Sequence, residues 1–489
     1  MSVNLNVPET QNRENRLGSI TGYQGTLHDL NERVECGTLG NRERCFNQSS
    51  LCNAACALGQ LGEIRDAVVI NHAPSGCAIT SVGLHVLRRQ LADRFGLDTS
   101  HGAFVATDMN ENDTVFGATG SIRDIALEVY RRYQPGAIFV GTSCVSGVIG
   151  EDVNSVVQEL RELLPIPVAP VFCEGFRSKI WASGFDAAFH AILTSVVQPP
   201  QTKSNKVNFI NFFGSAAVEI SEMFANFGVE PTFLLANSTI EELKHLSEAA
   251  ATVSICGTLG SYLGNGLEEQ YGVPYVRVLQ PHGIEGFETW LRSLGDAIGK
   301  QPEVEAYISR ERARYIPKIE EVKKELKGMR AVIGMGPGYT FNTARVLQEL
   351  GVEIVWASAW HFDRQYDDGQ VPAAFEHLAK HSPTDFGVSV SDQQNYEVMN
   401  ILNHLKPDIF FSRHPGTTVW AIKQGTPSLC ITDEYMIFGY KGILNTAYAI
   451  LDTVRNRSFA KNLADRVRLP YTNWWLEQGS GYFLSGEEA

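Results

Sequence analysis

Nine cysteines, at positions 36, 45, 52, 56, 77, 144, 173, 256 and 430, are the residues of this 489-residue chain best suited to bind a soft metal. Thiolate sulfur matches iron–sulfur chemistry better than a carboxylate does. An odd number of cysteines at long intervals does not describe a disulfide framework. Cys45, Cys52 and Cys56 form C-x6-C-x3-C, which fits neither a zinc nor a ferredoxin spacing. Other chemistries find less support, because the G-x-S-x-G and HExxH patterns of hydrolases are missing. The run GMGPGYTFN at 334–342 has the placing of a phosphate loop but neither GxGxxG nor GK[ST] spacing, so it reads as a tight strand–helix turn.

Such side chains need a frame. From Asp66 onward short β-branched runs alternate with longer amphipathic stretches, the pattern of βαβ units in parallel sheets. Strands are expected at 67–71, 137–141, 168–172, 207–212, 253–256, 275–278, 331–334, 353–357, 408–411 and 428–431, and helices at 152–164, 240–250, 286–298 and 340–350. In open parallel sheets, ligands sit beyond the carboxyl ends of the strands, where loops carry polar groups without disturbing the ladder. Several cysteines fall there. Cys77 follows 67–71 in NHAPSGC, Cys144 follows 137–141 in GTSC, Cys173 ends 168–172, and Cys256 ends 253–256 just before Gly257. Neighbouring glycines would let backbone approach a bulky ligand. Cys77 and Cys144 are therefore read as metal ligands.

The length calls for about three domains of roughly 150 residues. An N-terminal extension occupies 1–50, an α/β domain 51–200, a second 201–328 and a third, with the C-terminal tail, 329–489. The stretch QPPQTKSNK at 198–206 reads as a linker and the charged helix 303–327 as a bridge. Hydrophobic residues at 44%, charged residues at 20% and a formal net charge of −14 describe a soluble protein that binds neither nucleic acid nor membrane. No apolar run reaches the roughly 18 residues of a membrane span, and the polar start lacks a signal peptide's core, so the expected location is the cytoplasm.

Five stretches, in order and approximate spacing, resemble the nitrogenase component 1 superfamily and its α-type subunit. They are 51–77, TDMNENDTVFG at 107–117, TSCVSGVIGED at 142–152, CEGFR at 173–177 and ICGTLGSYLGNGLEEQYGVPY at 255–275. The resemblance runs from about residue 45 to about residue 455. It implies three Rossmann-like α/β domains with mostly parallel sheets, and clusters held at strand ends and between domains. It also implies a homologous β-type partner in an α2β2 heterotetramer, with Cys52, Cys77 and Cys144 supplying this chain's share of an [8Fe-7S] P-type cluster. Cys256 matches the thiol tethering a deeper cluster, and Cys173 a cysteine that is no ligand. Electrons would come from a homodimeric, ATP-dependent [4Fe–4S] reductase protein.

Departures from the family pattern sharpen the reading. The segment SLCITDEYMI before FGYKG at 438–442 has no histidine where nitrogenases hold the far end of the cofactor, which leaves Cys430, His361 and His414 as candidates. The glycine-rich loop at 334–338 has lost the family's arginines. After CEGFR, Trp181 and Phe185 stand where nitrogenase has glutamine and histidine, and His85, eight residues after Cys77, replaces an arginine. Aromatic rings remove hydrogen-bond donors that dinitrogen reduction needs and admit apolar groups. This pattern is most similar to the methylthio-alkane reductases, which reductively cleave carbon–sulfur bonds. On that reading the inner cluster is [8Fe-9S-C]-like without molybdenum or vanadium, His85 is the proton donor, and Trp181 and Phe185 shape the pocket. The alternatives are a cofactor-maturation scaffold and an authentic nitrogenase α subunit. A tetrapyrrole-reducing relative is disfavoured by Cys256.

Overall fold

The computed structural model describes residues 3–43, 52–79, 89–90, 93, 96, 98–212, 217–235, 238–392, 394–431 and 434–481. They belong to two compact units, one built from segments up to residue 16, 51–254 and 259–276, the other from 17–50, 255–258 and 277 onward. Strand β1 (Tyr23–Thr26) belongs to the second unit. The first contains β2 (Ala67–Asn71), β3 (Ala103–Ala106), β4 (Ala137–Gly141), β5 (Val168–Val171), β6 (Lys206–Phe212), β7 (Glu230–Leu235) and β8 (Ala251–Ser254). The remaining strands, β9 (Arg330–Met335), β10 (Glu353–Ala359), β11 (Gly387–Val390), β12 (Ile409–Ser412) and β13 (Ser428–Cys430), lie in the second.

Three sheets result. The first unit holds β3-β2-β4-β5 and β7-β6-β8, and the second holds β1-β11-β10-β9-β12-β13. Every pairing is parallel except β1 with β11. Full burial of β2 and β4, whose sequences AVVIN and AIFVG are nearly continuous apolar runs, is what strands covered on both faces require. The two sheets of the first unit share one hydrophobic cluster, centred on the helices Asn53–Leu61 and Ser183–Ser195, so residues 51–200 pack as a single body with 201–254 and 259–276.

In each sheet the strand order reverses once, between β2 and β4, between β6 and β8, and between β9 and β12. Loops diverge at such points and leave a crevice beyond the strand ends. Cys77 follows β2 and Cys144 follows β4, Cys256 follows β8, the glycine-rich loop follows β9 and His414 follows β12. Cys77, Cys144, Cys256 and His414 are thus placed at switch points.

Two expectations change. The strand read at 275–278 reduces to a single bridge, Tyr275 with Thr252, because the chain leaves the sheet edge there and turns toward Pro281 and the helix Gly283–Ile298. The N-terminal extension is no separate element: residues before 17 pack into the first unit, and β1 closes the edge of the large sheet by pairing antiparallel with β11. Among the described residues no helix is long and apolar enough to cross a membrane.

Candidate metal centres

Cys52, Cys77 and Cys144 lie on one exposed face of the first unit. Cys52 is the N-cap of the helix Asn53–Leu61, and its sulfur accepts from the Ala55 N–H at 3.5 Å. Cys144 opens the helix Cys144–Ile149, whose start is fixed by a capping box between Ser143 and Ser146. Cys77 is held in a turn by its N–H donating to Pro74 O at 3.0 Å. Gly175 binds the group together: a Cβ there would lie 3.1 Å from Cys52 Cβ and 3.3 Å from Cys144 Sγ. The Cys77 thiol is pushed up by burial and, after that, by the neighbouring Cys144 and Cys52 sulfurs. Cys144 and Cys52 therefore lie close enough to act on the Cys77 thiol.

A polar network fastens their loops. His72, buried at the end of β2, contacts the Glu151 carboxylate through Nε2 and accepts at Nδ1 from the Thr107 hydroxyl at 3.0 Å. Thr107 Oγ1 in turn accepts from the Ala73 N–H, and Glu151 from the Ala118 N–H. Three of the sequence runs singled out above, 51–77, 107–117 and 142–152, are thereby tied into one scaffold beneath the thiols.

Around the thiols the surface is unusually apolar. Ile79, Val115, Phe116, Val148 and Phe176 are 70, 74, 85, 76 and 58% exposed. Phe176 sits against the Cys144 helix, since a Cβ on Gly147 would meet its ring at 3.3 Å. Cys56 and Cys173, by contrast, are buried, and burial pushes both thiols up. Cys173 donates to Thr142 O at 3.4 Å, which suits a structural thiol.

Cys256 belongs to the second unit and is 2% exposed. A Cβ on Gly338 would come within 2.8 Å of its sulfur and 3.1 Å of Thr258 Oγ1, so the glycine-rich loop runs directly over this thiol. Thr258 Oγ1 is 3.1 Å from the Tyr366 hydroxyl. A Cβ on Gly257 would strike Gln280 Nε2 and the Tyr366 ring, both at 2.8 Å. No side chain other than hydrogen fits at 257 or 338 without displacing the groups around the thiol.

The remaining candidates are distributed as follows. His361, 1% exposed beyond β10, has Nε2 at 3.7 Å from Asp363 Oδ2. His414 accepts at Nδ1 from the Trp360 indole N–H at 2.9 Å, and burial followed by the Arg413 charge holds its pKa down at about 4. The ring is consequently neutral with its proton on Nε2, which makes it a donor there and a poor ligand. Cys430 ends β13 half-buried, its register partner Ser412 lying two residues before His414. Phe185 is 3% exposed within the shared core of the first unit, on a helix anchored by paired bonds from Arg13 to Asp186 at 2.8 and 2.7 Å. Trp181 packs edge-on against it, ring centroids 5.9 Å apart, at the margin of that core. His85 lies outside the described residues.

Among the described residues no three His, Cys, Asp or Glu side chains converge as they would on a single metal ion. Cys52, Cys77 and Cys144 share a face, an arrangement suited to a polynuclear cluster. Gly175 is the functional position that sequence reasoning passed over; its place inside CEGFR, one residue from Glu174 and two from Cys173, was the available signal.

The sequence profile described as Nitrogenase component 1 type Oxidoreductase matches residues 52–455. The chain belongs to the nitrogenase component 1 family. Within that family it is 27% identical over 459 residues to the nitrogenase molybdenum-iron protein alpha chain of Methanosarcina barkeri, covering 81% of this chain and 85% of that one. It is equally 27% identical, over 398 residues and 79% of each chain, to the nitrogenase iron-molybdenum cofactor biosynthesis protein NifE of Methanococcus maripaludis. Among solved structures, nitrogenase Cp1 at pH 6.5 superimposes with a TM-score of 0.70 at 20% identity, covering 88% of this chain and 93% of that one. That likeness is one of fold. Family membership makes the chain a nitrogenase-type component 1 subunit, and relatives at equal identity include both an enzyme subunit and a biosynthesis protein.

Proposed function

We propose that this chain is the α-type catalytic subunit of a nitrogenase-like reductase that cleaves the carbon–sulfur bond of small methylthio-alkanes. The observation that carries the two-cluster reading is the pairing of an exposed three-thiol face with a separate, fully buried thiol under a glycine loop. The exposed face fits a cluster shared with a second, β-type subunit, because the thiols and the apolar side chains around them are both incompletely covered by this chain. The donor set fits iron–sulfur groups, since thiolates are their usual ligands. When bound, such clusters supply low-potential electrons, delivered here by an ATP-dependent [4Fe–4S] reductase protein.

The overall change is R–S–CH3 plus two electrons and two protons to R–H and CH3SH: one C–S bond breaks, and one C–H and one S–H bond form. This chain's residues hold the clusters, exclude water and move protons. His85 is assigned the proton delivery, Trp181 the apolar wall, and Phe185, buried behind it, the support of that wall. The lack of a histidine before Phe438 favours an inner cluster without molybdenum or vanadium. The equal similarity to NifE keeps a maturation scaffold as the second reading.

Anaerobic co-purification with the β-type subunit and the reductase, followed by incubation with ATP and ethyl methyl sulfide, tests the proposal. Methanethiol should form, with iron but neither molybdenum nor vanadium in the complex. Absence of methanethiol together with transfer of the cluster to an apo-nitrogenase would establish the scaffold instead.

A further inference from the structure

His282 is the N-cap residue of the helix Gly283–Ile298 in the second unit. It is 1% exposed, and neither ring nitrogen has a hydrogen-bond partner among the described residues. Buried polar groups are nearly always paired, so an exception calls for a ligand, an ion or a water. The backbone on either side is pinned: Arg345 Nη2 donates to His282 O at 2.8 Å, His282 bridges Phe438, and Gly439 N–H donates to Pro281 O at 3.2 Å. The backbone that carries the ring is therefore held in place.

Its surroundings lead to Cys256 in a few steps. The His282 ring lies 5.5 Å from that of Tyr339, the residue after Gly338, whose Cβ position touches the Cys256 sulfur. Asn342 flanks the imidazole and is itself fixed, with its amide donating to Gly338 O at 2.8 Å and to Gln280 Oε1 at 2.9 Å. The carbonyl oxygen of Asn342 is buried without a partner, so it can accept from one ring N–H of His282. Thus the Cys256 sulfur and the His282 ring both pack against the first turn of the helix Pro337–Glu349. Burial, then the charges of Arg345 and Arg413, keep the imidazole neutral, down to a pKa of about 3. Arg413 also stacks over Tyr339 at 4.0 Å, while Arg345 is met by Glu349 at 3.3 Å and by Glu285 at 3.7 Å.

We propose that His282 is a nitrogen ligand to the inner iron–sulfur cluster tethered by Cys256, its second ring nitrogen donating to Asn342. The proposal rests on the two-cluster reading above. It satisfies all three unpaired atoms at once: the ring lone pair on iron, the ring N–H on Asn342 Oδ1, and that oxygen in return. Metal-bound imidazoles are normally oriented by such a partner on the other nitrogen.

Electron spin-echo spectroscopy on the anaerobic αβ complex, prepared with natural and 15N-histidine, tests it alongside iron counting. The inner-cluster signal should show a histidine nitrogen coupling that changes with the isotope. It should vanish in His282→Ala and persist in His361→Ala and His414→Ala. If His282→Ala assembles no inner cluster, His282→Gly supplied with 14N- or 15N-imidazole decides: recovery of iron and of the coupling supports the assignment, and no recovery overturns it. A native inner-cluster signal without histidine coupling, or one that survives His282→Ala, also overturns it. An αβ complex holding only the P-type iron, with no signal lost in Cys256→Ser, would instead overturn the two-cluster reading itself.

Discussion

The thiol face of the first unit and the thiol pocket of the second solve opposite problems. Cys52, Cys77 and Cys144 are presented outward on helix starts, amid side chains as exposed as Phe116 at 85%. Cys256 is 2% exposed and roofed by a loop in which a single methyl group would collide with its sulfur. On the proposed reading, the first arrangement would hold part of a cluster that a second chain completes. The second encloses a reactive group within one unit, where water is excluded and electrostatic interactions are stronger. The same side-chain type is thus exposed in one place and secluded in the other, as the proposed relay and active-site roles would require.

The largest test of this contrast exchanges the thiols one at a time. Cys256→Ser should remove the inner iron and abolish turnover, while P-type iron and αβ assembly remain. The loss should exceed the roughly 10- to 100-fold that disturbing even an outer partner of a metal ligand costs. Cys144→Ala should do the reverse in assembly, losing P-type iron and weakening the subunit contact, as read by iron content and analytical ultracentrifugation. Equal effects of the two changes would erase the distinction. Next comes Phe116→Asp. Burying one phenyl ring contributes about 1.5–3 kcal/mol, so the αβ dissociation constant should rise about 10- to 100-fold. An unchanged constant would place the partner elsewhere.

The sequence showed these sites unequally. Apolar runs bounded by glycine and polar clusters revealed most strands of the parallel sheets, because strands covered on both faces must be apolar throughout. It did not reveal β3 or β7, whose runs AFVA and EPTFLL are short or begin with a charge and a proline. Nor did it show β1, which is stabilised by pairing with β11 some 360 residues away and not by its own pattern YQGT. Cys77, Cys144 and Cys256 were legible because each follows a recognisable strand. Gly175 and His282 were not: one acts through the absence of a side chain and the other through the absence of hydrogen-bond partners, and both absences exist only in three dimensions.

A milder comparison uses the two glycines. Gly338→Ala puts a Cβ at 2.8 Å from the Cys256 sulfur, so the thiol must move and inner-cluster occupancy should fall severalfold. Gly175→Ala puts one at 3.1 Å from Cys52 Cβ and 3.3 Å from Cys144 Sγ, contacts that small shifts of the exposed loops relieve. P-type iron should therefore drop less. Metal analysis of both variants reads the ratio directly, and a greater loss in the Gly175 variant would show that the outer face is the stiffer of the two.

The smallest effect is a pH profile. In the cluster-free chain, iodoacetamide should modify Cys52, Cys77 and Cys144 in the native state, and reach Cys56, Cys173 and Cys256 only on unfolding. The reactive species is the thiolate. The Cys77 pKa is raised, so its thiol stays protonated to higher pH than an ordinary one, and its alkylation rate should still be climbing where a free cysteine has levelled off. Burial is the largest cause of that rise, with the Cys144 and Cys52 sulfurs following. Replacing both neighbours by alanine should thus lower the midpoint only in part. A complete return to the ordinary thiol value would mean that repulsion between sulfurs dominates, and that this face is wetter than its geometry indicates. Mass spectrometry of the alkylated peptides at a series of pH values separates the two.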